Sequence, residues 1–133
     1  MNVFIDTSAF LALLDGDDPN HAVADQFWQS SHPETLRLLT TNYVLTESLA
    51  LIQRRLGLDA VRAFLYELAP VLHQVEWIDA QTHTEGVLTL VAANRRPLGI
   101  VDCVSFAVMR RQAIWVAFAF DKHFEEQGFS CIP

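Results

Sequence analysis

Apolar runs of strand length alternate with longer stretches of helical period along the whole chain, and that alternation leaves few folds open. The first run, Val3-Phe4-Ile5, closes on an acid, Asp6. Strands are expected over residues 2–5, 36–40, 75–78 and 115–120, with a last one near 129–132. Helices are expected between them: 9–14 with Ser8 as N-cap, 21–29, 42–56, 59–72, a helix from Asp79 or Thr82 to Ala93, 101–112, and a short turn at 122–127. Within 42–56, Leu45, Leu49, Ile52 and Leu56 form one apolar stripe. A polar break at 30–34 and a loop at 94–99 are the clearest interruptions. This order predicts a mainly parallel sheet in a three-layer α/β/α arrangement. The 133 residues, 51% of them hydrophobic, fit a single domain over 1–133 with ample core.

Three further acids stand at the edges of later apolar runs: Glu47, Asp102 and Asp121. A strand that ends in Asp sets its carboxylate at the carboxyl edge of the sheet, where open α/β folds keep their ligand crevices. Carboxylates gathered from distant segments repel one another, so they call for a shared proton or a hard cation held by oxygen. Each acid also has an ordinary role open to it. Asp6 and Asp121 can cap the helices that follow them, and Asp102 can cap the start of 101–112. Glu47, opposite the Leu45 stripe with Tyr43, Ala50 and Arg54, can belong to a solvated face. Asp102 heads the stripe Asp102, Phe106, Met109, Ala113 and so points toward the core side, where an unpartnered charge is costly.

Several other chemistries find no support. His21, His32, His73, His83 and His123 lack metal-hydrolase spacing, and there is neither a phosphate-cradling glycine loop nor a G-x-S-x-G turn. Cys103 and Cys131 have no C-x-x-C spacing and are expected to be buried reduced thiols. The net charge of −7 argues against broad nonspecific attraction to nucleic acid. It leaves a nuclease open, because bound divalent cations would reverse the local sign where a phosphate sits. The pairs Arg54-Arg55, Arg95-Arg96 and Arg110-Arg111 are expected on solvated faces, with phosphate contact as the alternative. Charged residues interrupt every apolar stretch well short of the ~18 residues of a membrane span, and Met1-Asn2-Val3 does not open a secretion signal. A cytoplasmic protein is expected.

Four blocks together resemble the PIN-domain ribonucleases, in particular the VapC toxins of bacterial and archaeal toxin–antitoxin pairs. They are Phe4-Ile5-Asp6-Thr7-Ser8, the stretch from Thr41 to Glu47, the stretch from Val101 to Met109, and Phe120-Asp121-Lys122-His123-Phe124 followed by Gly128-Phe129. The resemblance spans nearly the whole chain. It implies a PIN fold, cleavage of RNA, and a Mg2+ or Mn2+ site formed by Asp6, Glu47, Asp102 and Asp121. It also implies a VapB-like antitoxin covering the site and a homodimer. Asp6 and Asp102 are the expected direct ligands, Glu47 binds directly or through water, and Asp121 is the expected outer member. Thr7, Ser8 and Ser105 are expected to orient the acids. One departure is Val101, where similar proteins often carry Ser or Thr; the loop 95–99 is a second. Phe10, Leu14, Phe27 and Trp28 are candidates for the docking surface, with core the favoured reading for Phe10. Two other readings remain: a catalytically silent module of the same fold that binds RNA or protein, and a phosphorylated receiver-type domain. Strand 1 carries only Asp6, against the paired acids a receiver expects.

Overall fold

A computed structural model describes residues 1–31 and 35–133; residues 32–34, and with them His32 and most of the expected polar break, lie outside the described part. The strands are β1 (Asn2–Ile5), β2 (Arg37–Thr41), β3 (Gln74–Glu76), β4 (Val116–Phe118) and β5 (Ser130–Ile132). They form one sheet in the order β3-β2-β1-β4-β5, and all pairings are parallel. The helices are α1 (Thr7–Leu14), α2 (His21–Ser30), α3 (Asn42–Leu56), α4 (Leu58–Ala63), α5 (Ala80–Ala93), α6 (Ile100–Arg111) and α7 (His123–Glu126). The three-layer α/β/α arrangement expected from the alternation is the one found. Its strand order differs from the 2-1-3-4-5 order of flavodoxin-like domains, which sets the receiver reading aside.

The central strand shows why the apolar runs are continuous. Val3, Phe4 and Ile5 are all fully buried, as a strand covered on both faces must be. Phe4 turns to one face and meets Phe124 of α7, whereas Phe118, in register with Ile5, turns to the other and meets Phe27 of α2 edge-on at 4.9 Å. Phe10 lies in the core against Phe64, as favoured from the sequence, while Leu14, Phe27 and Trp28 are half-buried. Among the described residues, no helix is long and apolar enough to cross a membrane.

Several boundaries differ from expectation, each for a local reason. Asp6, not Ser8, caps α1: its extended backbone ends the ladder and its carboxylate accepts from the Ser8 N–H at 3.2 Å, so the helix starts at Thr7. Strand β2 runs one residue later than expected because Thr41 both pairs with Glu76 and caps α3, accepting from the Val44 N–H. Strand β3 stops at Glu76, and the Ile78 N–H turns away to the Asn42 side chain. Strand β4 ends at Phe118, since the Phe120 N–H donates to the Ser8 hydroxyl. The single helix expected over 59–72 is divided: α4 widens into a π-helical turn at Phe64–Leu68 and tightens at Ala69–Val71, where Pro70 has no N–H to offer. In α3 the fully buried line is Val44, Ser48, Ile52, and Leu45 and Leu49 flank it half-buried.

Candidate metal centre at the carboxyl edge of the sheet

The strand order places a topological switch at β1. The chain leaves it toward β2 and β3 on one side, and β4 and β5 lie on the other, so a crevice opens beyond the carboxyl ends of β1 and β4. Asp6 follows β1 directly, and Asp121 lies three residues beyond β4. Asp6 is only 3% exposed. The Ser8 hydroxyl donates to its Oδ2 at 2.8 Å and accepts from the Phe120 N–H at 3.0 Å, which ties the end of β1 to the segment after β4.

Asp102 enters from α6, where its Oδ2 accepts from the Gly99 N–H at 3.4 Å. Asp121, two residues ahead of α7, accepts on Oδ1 from the His123 N–H at 3.0 Å. Asp6 and Asp102 thus hold helix starts and Asp121 closes a turn just ahead of α7, with the bonds falling on Oδ2 of Asp6, Oδ2 of Asp102 and Oδ1 of Asp121. Capping and cation binding are compatible here.

Electrostatics tie the three acids together. Burial pushes Asp6 up to about 6, hydrogen bonds from Ser8 and Thr7 hold it back, and the Asp121 charge adds to the rise. Burial also pushes Asp102 up to about 7, reinforced by the charges of Asp6 and Asp121, while Gly99 and His123 oppose the rise. Three segments far apart in sequence thus bring carboxylates close enough to feel one another, in a pocket that penalises their ionised forms. The donor set fits a hard divalent cation.

One neighbour was missed by sequence reasoning, which weighed histidines only by spacing. One ligand atom each of Asp102, Asp121 and His123 lies within 4.8 Å of the other two. His123 is 7% exposed, and its position two residues after Asp121 in a short turn is the only signal that could have found it.

Glu47 stands apart. It is half-exposed on α3, and its side chain makes no hydrogen bond or ion pair among the described residues. Its neighbour Ser48 is buried and donates to the Thr7 hydroxyl at 3.2 Å, which holds that part of α3 against the start of α1. Ser8 touches an acid directly. Thr7 does so through its backbone, and the buried Ser105 donates to the Val101 carbonyl at 2.8 Å and bonds to none of the acids.

The arginines divide. Arg95 pairs with Glu126, Arg111 pairs with Glu85, and Arg110 lies over the Phe129 ring and donates to Gln127. Cys103 is buried, as expected, but Cys131 is only half-buried, contrary to expectation. Burial pushes both thiols up, Cys131 to about 11, so neither is a nucleophile near neutral pH.

Comparison with known proteins places this geometry. The sequence profile of the PIN domain matches residues 3–130. The chain is 38% identical over 128 residues to the 23S rRNA-specific endonuclease VapC20 of Mycobacterium tuberculosis, covering 96% of this chain and 95% of the relative. It is 28% identical to ribonuclease VapC26 of the same organism over 92% of this chain and 89% of that one. The crystal structure of VapC20, described as a sarcin-ricin loop cleaving toxin, superposes with a TM-score of 0.82 over 96% of this chain and 95% of its own, at 37% identity. FitAcB from Neisseria gonorrhoeae superposes with a TM-score of 0.70 over 100% and 97% at 13% identity, a likeness of fold.

Proposed function

Because the chain belongs to the PIN-domain family, we propose that it is an endoribonuclease dependent on Mg2+ or Mn2+, the toxin of a toxin–antitoxin pair. The observation that carries this reading is the electrostatic coupling of Asp6, Asp102 and Asp121 at the switch point, where Asp102 and Asp121 also bring ligand atoms within 4.8 Å of each other. A divalent cation bound there supplies a lowered pKa for water and charge stabilisation on phosphoryl oxygens. The chain's own residues supply position and field. Ser8 fixes Asp6, the Gly99 N–H fixes Asp102, and the His123 N–H fixes Asp121, so the three carboxylates are held in place before the cation arrives.

Asp6 and Asp102 are the direct ligands in this reading, and Asp121 acts further out. Glu47 joins directly or through water from α3. The substrate is RNA, and the specificity in the name of VapC20 makes 23S rRNA the first to try. The partner is a VapB-like antitoxin, the protein acts in the cytoplasm, and it pairs as a homodimer.

Cleavage of rRNA by purified protein tests the reading. Activity is expected with Mg2+ or Mn2+, none in EDTA, and a loss of at least about 100-fold in Asp6→Asn and in Asp102→Asn with folding intact. Undiminished cleavage in EDTA would contradict it. A folded protein that binds RNA without cutting it under any divalent ion would point instead to the silent binding module.

A further inference from the structure

Resting on the reading of the acids as a cation site, we infer that His123 is a further ligand, which presents Nε2 to the cation and is held in that tautomer by Glu126 and Arg95. His123 lies at the head of α7 with its side chain 8% exposed. Its Nδ1 is 3.2 Å from Oε2 of Glu126. An ionised carboxylate only accepts, so Nδ1 carries the hydrogen, and the lone pair of a neutral ring is left on Nε2.

Among the described residues that nitrogen has no hydrogen-bond partner. It faces Oδ1 of Asp121 at 3.8 Å, beyond hydrogen-bond reach, inside the group it shares with Asp102. The 4.8 Å span of that group slightly exceeds the ~4 Å that two ligands on opposite sides of one ion cover, so a small closing of side chains lets His123 and Asp102 share an ion with Asp121 beside them. Glu126 is itself fixed, since Arg95 donates to the same Oε2 at 3.0 Å from the loop between α5 and α6. The series Arg95, Glu126, His123 is the carboxylate–histidine–metal arrangement that sets ring orientation and raises ligand basicity.

A nitrogen ligand changes the choice of ion. Mg2+ favours all-oxygen shells, whereas imidazole is a good ligand for later divalent metals and is tolerated by Mn2+. His123 therefore biases this site toward Mn2+ relative to an all-carboxylate one.

The test uses purified protein without RNA, with MnCl2 and MgCl2 titrated by calorimetry and with the electron spin-echo of bound Mn2+ recorded. Wild type is expected to show modulation from a directly coordinated 14N. In His123→Asn, which keeps a donor for Glu126 but has no atom at the Nε2 position, that modulation should vanish. Mn2+ affinity should fall about tenfold or more there, and Mg2+ affinity should fall less. Glu126→Gln should keep the modulation and weaken Mn2+ by a smaller factor.

Mn2+ bound to wild type without 14N modulation would overturn the inference and leave the acidic site standing. Failure of wild type to bind either ion would overturn both. The wild-type spectrum decides the point even if the variant does not fold.

Discussion

Burial and two neighbouring charges push Asp102 up to about 7, and burial pushes Asp6 up to about 6, against an ordinary value of 3.8 for each. An acid raised in the folded state holds its proton there while the unfolded chain has released it. Between about 4 and 7 the folded state therefore binds more protons, and stability falls as pH rises through that window. Below about 4 both states are protonated and the effect disappears. For Asp6 alone, a rise of about two units is worth roughly 3 kcal/mol as an order of magnitude. The metal-free protein in EDTA is thus expected to melt higher at pH 5 than at pH 8. A melting temperature that stays level or rises between those values would show that the carboxylates do not share one buried environment.

Close packing at the scale of elements is clearest where α5 meets α6. A methyl group at Gly86 would come within 2.5 Å of Cγ2 of Val104, which is fully buried on a stiff β-branched side chain. Helix propensity alone would favour Ala there by about 1 kcal/mol, but overpacking costs about 1–3 kcal/mol, so the contact decides the sign. Gly86→Ala is expected to lower stability in urea melts, and Val104→Ala in the same chain should recover part of the loss. A stabilised Gly86→Ala would mean that the helices can separate freely. This contact could not be read from sequence, since Gly86 sits in an otherwise ordinary helical run. Strands β1, β2 and β4 could, because each carries a short apolar run bounded by a polar or acidic residue, whereas β3 is only Gln-Val-Glu. What sequence left open were ends that a distant partner decides. Thr41 extends β2 because Glu76 pairs with it, and Ser8 gives up its cap role because Phe120 needs its hydroxyl. Asp6, Asp121 and Asp102 stood out because strand ends and an interrupted apolar stripe expose them, whereas Glu47 was singled out mainly by the family resemblance. His123 did not, because beyond its place two residues after Asp121 its interest lies in sharing a group with Asp102 of α6, which no local spacing encodes.

For the whole molecule, the strand order brings residues 6 and 121 to one edge of a five-stranded sheet, and the start of α6 brings residue 102 close enough for its charge to couple with theirs. The central claim is that these acids act as one cation site. Its most direct measurement is the melting temperature at pH 7.5 of wild type and Asp102→Asn, each in EDTA and in excess Mg2+. Neutralising one acid relieves repulsion and also removes a ligand, so two changes of opposite sign should appear together. In EDTA, Asp102→Asn should melt above wild type; in Mg2+, wild type should gain stability and the variant should gain little. If the two proteins melt together in EDTA and respond alike to Mg2+, the acids are separate helix caps and the proposed centre does not exist.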